Sequence, residues 1–427
     1  MNSLGKKTPK KELVWDVIVI GGGPAGMISA GKAGESGARV LLVEKNETLG
    51  KKLLITGGGR CNVTNAEFDI RKLVGKLGDK GKFLFSPLSK FGVAESLDFF
   101  HLKNMPTKIE AEQRVFPMSD KAQSVWDTLV EYMRKNNVEI RSNTEVTGFE
   151  EKDGQIIGVT ISNGKTLHAK KYILATGGKS RPETGSTGEG FLWLQKIGHK
   201  VIEPDVALVP LEVKDAWIKQ TQGVSIKDAR VSVFQNDIQQ FSKNGKILFT
   251  HFGLSGPLIL NMSKDIGELL KYGEVKLNID LFPNIDHLAL DTHIRSIFEI
   301  NQNKKFKNVL GMIVSPKMTA GILSLLTIHP EEYVNKISKV SRLILVKSLK
   351  QLPCQVKKLL GLEKAIVTSG GLALEEIDFK TMQSKIYPNL YCVGDILNFD
   401  RPSGGYSLQI CWTTGYLAGE NAGKCEN

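Results

Sequence analysis

The chain has 427 residues, too many for one ordinary domain and enough for two or three. A composition of 41% hydrophobic and 24% charged residues, with mean hydropathy −0.13 and no apolar run of bilayer length, excludes a helical membrane protein and a disordered one. The formal net charge is +12, and residues 301–364 hold twelve Lys/Arg against three Glu and no Asp, a local net of +9.

Five cysteines (Cys61, Cys354, Cys392, Cys411, Cys425) are few for this length and lack paired metal-ligand spacing. The expectation is a reduced cytoplasm and no metal. The basic stretch fits a solvated helical face or an anionic partner such as nucleic acid, and composition does not separate the two.

In chain order, residues 1–13 carry four lysines and no apolar stretch, which predicts a basic disordered tail and no secretory signal. Asp16-Val-Ile-Val-Ile20 then reads as a strand buried on both faces. It runs into Gly21-Gly-Gly-Pro-Ala-Gly26, a helical stretch to about Ser36, and a second strand at Arg39-Val-Leu-Leu-Val43 ending on Glu44. This is the dinucleotide fingerprint in context. Gly21 permits the tight turn, Gly23 lets the backbone approach a pyrophosphate, and Gly26 lets the helix pack on the strand. The phosphates meet a helix N-terminus, and Glu44, eighteen residues after Gly26, stands near the spacing that reaches a ribose hydroxyl.

Two later strands also end in glycine turns. Tyr172-Ile-Leu-Ala-Thr-Gly-Gly178 is one, and Leu390-Tyr-Cys-Val-Gly-Asp395 is the other. Ser403-Gly-Gly-Tyr-Ser-Leu-Gln409 opens a helix to about Ala422, whose N-terminus would favour negative charge on a flavin. An NAD-binding fold has no use for this C-terminal return, so FAD is the expected cofactor. No second complete GxGxxG unit is visible, so NAD(P)H is expected to dock transiently as reductant.

The flavin motifs stop near Gly190 and resume near Ala365. Between them, Val206 to Ile279 holds alternating runs such as Arg230-Val-Ser-Val-Phe234 and Glu274-Val-Lys-Leu-Asn-Ile279. Residues 284–360 read as helices, with Val334, Ile337, Val340, Ile344 and Leu349 near one face and Lys336, Lys339, Lys347 and Lys350 largely on the other. The expected architecture is α/β: a Rossmann-like FAD-binding domain of the two-dinucleotide flavoprotein type, interrupted by an insert. Its segments are 14–195 and 365–427. The insert, 196–364, has a β-rich part over 200–280 and a helical, basic part over 284–364.

Specific blocks carry a family resemblance. They are Gly50-Lys-Lys-Leu-Leu-Ile-Thr-Gly-Gly-Gly-Arg-Cys-Asn-Val-Thr-Asn65, Arg114-Val-Phe-Pro-Met-Ser-Asp-Lys-Ala122 and Gly185-Ser-Thr-Gly-Glu-Gly190. Further along come Thr250-His-Phe-Gly-Leu-Ser-Gly-Pro257, Val367-Thr-Ser-Gly-Gly371, Thr381-Met-Gln-Ser-Lys385 and Gly404-Gly-Tyr406. The whole chain resembles the BaiN/RdsA (YhiN-like) family of NAD(P)/FAD-dependent oxidoreductases. The chain departs from it with Asp395 where members usually carry Glu, Ser407 where they carry Asn, and Cys411 where a small apolar residue is common.

Motifs and resemblance together give an expected cofactor set. It comprises Gly21, Gly23, Pro24, Ala25 and Gly26, then Glu44, Lys45, Lys52, Thr56, Gly57, Gly58, Gly59 and Arg60. Val146, Ala175, Thr176, Gly177, Gly394, Asp395, Gly404, Gly405, Tyr406 and Gln409 complete it. Lys51, Lys52 and Arg60 could instead meet a substrate phosphate or form a solvated basic loop. Arg114 could brace the cleft or make an ordinary surface pair, and Tyr406 could stack on flavin or pack.

The resemblance implies two activities: formation of dihydrouridine in 23S ribosomal RNA, and reduction of the enone of bile-acid intermediates. Both reduce a C=C bond beside a carbonyl and need a proton donor. Cys61 and His251 are the candidate acids, Cys61 also reading as a small packed side chain and His251 as a structural one. The net +9 insert favours ribosomal RNA over a steroid-like enone. A non-catalytic, flavin-containing RNA-binding factor is the reading from another class.

Overall fold

The computed structural model describes residues 15–361 and 367–424. The expected tail and Cys425 lie outside the described residues. The chain forms two compact units, Met1–Asp205 with Val367–Asn427, and Val206–Ile366.

The first unit is built on a seven-stranded sheet. Its parallel centre comprises β1 (Trp15–Ile20), β2 (Val40–Val43), β3 (Glu139–Arg141) and β4 (Ala169–Leu174). The second segment adds β5 (Ile377–Asp378), β6 (Gln383–Ser384) and β7 (Leu390–Cys392), giving the spatial order β5-β6-β7-β4-β1-β2-β3. Ile18 pairs with Leu41 on one side and Tyr172 on the other. Tyr172 in turn pairs with Leu390, which joins the C-terminal segment to the N-terminal one. β1 lacks polar alternation because both of its faces are covered.

Helix α1 (Pro24–Glu35) follows β1 and lies between α2 (Ala122–Lys135) and α3 (Tyr406–Gly423). Its glycines are spatial requirements. A Cβ on Gly31 would overlap the Tyr132 ring, and one on Gly34 would stand 2.5 Å from the Asn136 carbonyl oxygen. Across the other contact, Gly415, Gly419 and Gly423 recur every four residues along α3 and meet the carbonyls of Ala25, Ser29 and Ala33. One smooth face of α3 thus lets two backbones touch.

The second unit is a closed six-stranded barrel. Its strands run in the order Leu211–Val213, Gly253–Ser255, Ile238–Phe249, Ser225–Gln235, Val275–Asp280 and Leu352–Leu359, all pairs antiparallel. Val231, Val233, Ile247, Phe249, Leu277 and Ile279 fill its core. Helices Pro257–Leu270, His287–Ile300, Phe306–Ile313 and Lys339–Lys350 accompany it.

Two expectations for the insert are corrected. Residues 284–360 are not all helical, because Leu352–Leu359 is the strand that closes the barrel. Leu352, Cys354 and Val356 alternate inward, a period-two signal of only three positions, placed directly after a helix. The amphipathic face was also misphased. Val334 belongs to a separate 3₁₀ turn, and the long helix begins after Ser338, whose hydroxyl accepts from the Ser341 N–H. Its buried residues are Leu345, Val346 and Leu349, while Val340 and Ile344 are 67% and 44% exposed.

Candidate functional site

The fingerprint turn has two kinds of glycine. Gly21 donates its N–H to Val43 O at 2.8 Å with φ +102°, and a Cβ there would stand 2.6 Å from Ala175 O. A Cβ on Gly26 would overlap Gly21 O. At Gly23, by contrast, a Cβ would meet nothing within 4 Å. The turn is therefore packed from behind and open where a ligand approaches. Pro24 opens α1, no side chain caps its N-terminus, and no acidic residue lies in its first turn. Those are the conditions under which a helix end receives phosphate.

Glu44 shapes this turn. Its carboxylate accepts the Gly22 N–H at 2.7 Å, the Asn46 N–H at 2.8 Å and the Asn46 side-chain amide at 2.7 Å. A carboxylate offers about four acceptor positions, so one remains for a ribose hydroxyl. Thr144 N–H donates to Glu44 O, which brings the buried start of the Val146–Lys152 strand beside it.

Ala175 donates to Ile20 O at 2.9 Å, and Gly177 turns the chain with φ +76°. Between them, the buried Thr176 Oγ1 has no hydrogen-bond partner among the described residues. Gly394 donates to Thr414 Oγ1 at 3.0 Å and packs so near α1 that a Cβ would lie 2.8 Å from the Ala25 Cβ. Asp395 Oδ1 is likewise buried without a hydrogen-bond partner. Gly404 and Gly405, at φ +118° and +103°, lead into α3, and a Cβ on Gly405 would overlap the Thr64 carbonyl. Tyr406 begins α3, nearly buried, with burial pushing its phenol up.

This arrangement fits FAD. A phosphate-sized opening at Gly23 and unmet polar atoms at Thr176 and Asp395 are places a polar dinucleotide would complete. Lys52 reaches Ser180 Oγ at 3.2 Å; burial pulls its ammonium pKa down, and the Asp395 carboxylate opposes that shift.

The Gly57–Gly59 loop is built differently. Its glycines have φ of +56°, +70° and +87° and are exposed. Arg60, expected beside flavin, is instead held by Glu110 and Asp120, with bonds of 2.5–3.2 Å, and stacks over Phe116 at 4.1 Å. Two carboxylates and a ring outcompete an uncharged loop for the guanidinium. Arg60 therefore does not favour a Cys61 thiolate. Cys61 is 0% exposed, and burial pushes its thiol up to about 12, so it packs the loop and presents no surface to a substrate.

Two other expectations change, for Gln409 and Lys45, and Arg114 takes the surface-pair alternative. The Gln409 amide is used inside the protein, donating to Ser96 Oγ and Thr413 Oγ1 and accepting from Thr64 Oγ1, so it anchors α3. Lys45 pairs with Glu189 at 2.8 Å. Arg114 makes a local pair with Glu112 at 3.5 Å. His251 belongs to the second unit. Its ring is exposed in the turn before Gly253–Ser255, edge-on to Phe252 at 4.9 Å.

Sequence reasoning missed two arrangements. His199 Nδ1 lies 2.6 Å from Glu376 and Nε2 lies 3.0 Å from Ser384 Oγ. This order looks like a hydrolase triad, yet both His199 and Ser384 are buried and Ser384 Oγ already accepts two backbone N–H groups, so it fastens β6. The other is Arg401, a buried guanidinium beside Asp395. An arginine in Asn-Phe-Asp-Arg-Pro reads as a solvated loop residue, so no sequence signal could have found it. Among the described residues, no group of three or more His, Cys, Asp or Glu could hold a metal, and no helix is long and apolar enough to cross a membrane.

Residues 15–421 match the family described as HI0933-like protein Rossmann domain. The chain is 30% identical over 414 residues to the 3-dehydro-bile acid delta(4,6)-reductase of Clostridium scindens, covering 95% of this chain and 98% of that one. It is 29% identical over 411 residues to the ribosomal RNA dihydrouridine synthase of Escherichia coli, with the same coverage. Among solved structures, it matches the 3-ketosteroid-delta4-(5alpha)-dehydrogenase of Rhodococcus jostii with TM-score 0.55 at 15% identity, covering 99% of each chain. A flavocytochrome c3 fumarate reductase matches with TM-score 0.53 at 16% identity, covering 97% of this chain and 79% of that one. At such identities the structural matches show a shared fold. With its fingerprint, its three glycine turns and a family match running almost end to end, the chain belongs to the HI0933-like (BaiN/RdsA) family of FAD-dependent oxidoreductases.

Proposed function

We propose that this oxidoreductase reduces a carbonyl-conjugated C=C bond, and that its substrate is uridine in 23S ribosomal RNA, converted to dihydrouridine with NAD(P)H as electron source. The observation that carries the RNA reading is the state of the insert's cations. Lys304, Lys317, Lys336, Lys339 and Lys347 are exposed and have no ion-pair partner among the described residues, so they remain available to phosphates. Lys305, Lys307, Arg342 and Lys350 are already paired with Glu331, Asp291 and Asp280.

Reduced FAD would supply a hydride. The chain's part is to hold the base out of its stack and deliver a proton to C5 of the uracil as C6 is reduced. Of the two candidate acids, His251 keeps an accessible ring, whereas Cys61 is fully buried. His251→Ala should therefore leave flavin reduction by NAD(P)H intact and slow substrate-dependent reoxidation by on the order of 10²–10⁴. Cys61→Ala should reoxidise at the wild-type rate. The reverse result would return the role to Cys61.

The small-molecule enone reading has its own support, because identity to the bile-acid reductase is 30% against 29% for the RNA enzyme. Stopped-flow reoxidation of pre-reduced protein by ribosomal RNA fragments or by a steroid enone separates the two. Dihydrouridine mapped by mass in ribosomal RNA from a deletion strain and its parent decides the cellular substrate. Unchanged dihydrouridine, with reoxidation by the enone only, would reject the RNA reading.

A further inference from the structure

Arg401 is 5% exposed. Only one of its nitrogens is used: NH2 donates to Leu397 O at 2.8 Å and to Gly394 O at 3.4 Å. Nε and NH1 have no hydrogen-bond partner among the described residues. Asp395 Oδ1 lies 3.3 Å from NH1, an ion pair without hydrogen-bond geometry, and it too has no hydrogen-bond partner among the described residues. Asp395 offsets the charge, but two buried donors without a hydrogen bond are costly, since each has lost water and gained no acceptor.

Its location says what would complete it. The carbonyl of Gly394 holds Arg401, and Gly394 packs on Ala25, in the uncapped first turn of α1. Lys52 feels the charges of Arg401, Asp395 and Glu183, so two cations and two carboxylates act on one another there. The helix dipole adds positive potential at that end. We propose that Arg401 is a ligand of the FAD pyrophosphate, donating from Nε and NH1 to its anionic oxygens. The inference rests on FAD binding and is independent of the RNA reading.

The test uses apoprotein with two probes, FAD and riboflavin, followed by flavin fluorescence. Riboflavin shares the ring and ribityl chain but has no phosphate. Arg401→Met should weaken FAD by about 10–100-fold, the loss of charged hydrogen bonds, and leave riboflavin affinity unchanged. Arg401→Lys, which keeps the charge, should recover part of the FAD affinity. Arg401→Met also takes the ion-pair partner from Asp395, so the apoprotein should melt below wild type, and Arg401→Lys should recover melting as well as part of the affinity. Equal FAD affinity, or a loss for riboflavin as large as that for FAD, would overturn the assignment, and if Arg401→Met does not fold the same comparison is read on Arg401→Lys.

Discussion

At Gly21 and Gly26 an added Cβ would run into backbone, whereas at Gly58 and Gly59 it would meet nothing within 4 Å. The two clusters belong to the same cofactor-binding unit and look alike in sequence. In the first, glycine is needed for closeness: strand, helix and the Ala175 carbonyl converge on one turn. In the second it is needed for conformation: Gly57, Gly58 and Gly59 adopt left-handed φ in succession, the last two with open space around them. Residue type alone does not distinguish these requirements, but substitutions do.

The largest effect is expected where closeness rules. Gly26→Val should cost about 4 kcal/mol or more, because the overlap is with Gly21 O, which cannot move without opening the β1–α1 turn. Thermal melting and FAD content of the purified protein measure it, and a yellow variant melting near wild type would break the distinction. Gly23 sharpens it from inside the same turn. Gly23→Val meets no protein atom, so the apoprotein should fold and melt normally while FAD affinity falls by on the order of 100-fold through blocked pyrophosphate approach. Normal FAD occupancy in that variant would remove the turn from the cofactor site.

The lysines of the insert divide the same way. Lys350 is packed: its side chain is 8% exposed, and its ammonium holds Asp280 at 2.8 Å and the carbonyls of Phe282 and Ile285 at 2.6 Å. Removing it leaves the Asp280 carboxylate without its cation, so Lys350→Met should destabilise the protein by about 3 kcal/mol without a specific effect on RNA. Lys336, Lys339 and Lys347 are open. Their joint reversal to Glu should leave melting and the flavin spectrum unchanged. It should also lower the magnitude of the log K versus log salt slope for RNA by about 0.7–0.9 per lost contact. An unchanged slope would take this face out of RNA binding.

Much of the cofactor unit was legible in the sequence because its signals are local. β1, the fingerprint and β2 are contiguous, and strands buried on both faces announce themselves as apolar runs. The glycine turns at Gly177, Gly394 and Gly404 could be read for the same reason. What stayed hidden depends on partners distant in the chain. Arg60 is claimed by Glu110 and Asp120, and Gln409 by Thr64 and Ser96. The strand Leu352–Leu359 shows the second kind of failure, since it earns its place by closing a barrel whose other strands lie far earlier in the chain.

The smallest effect tests the open cluster. Gly58 has φ +70° and no neighbour for a Cβ, so Gly58→Ala pays only for placing an L-residue in left-handed geometry, about 1 kcal/mol. Asparagine visits that region more readily, so Gly58→Asn should lose less than Gly58→Ala despite its greater bulk. In a packed position the order would reverse, because size would decide. Urea unfolding of both variants with an unchanged m-value reads the difference directly. If the asparagine variant proves the less stable, the loop is closed around Gly58 by contacts that conformation does not explain, and its glycines belong with Gly21 and Gly26.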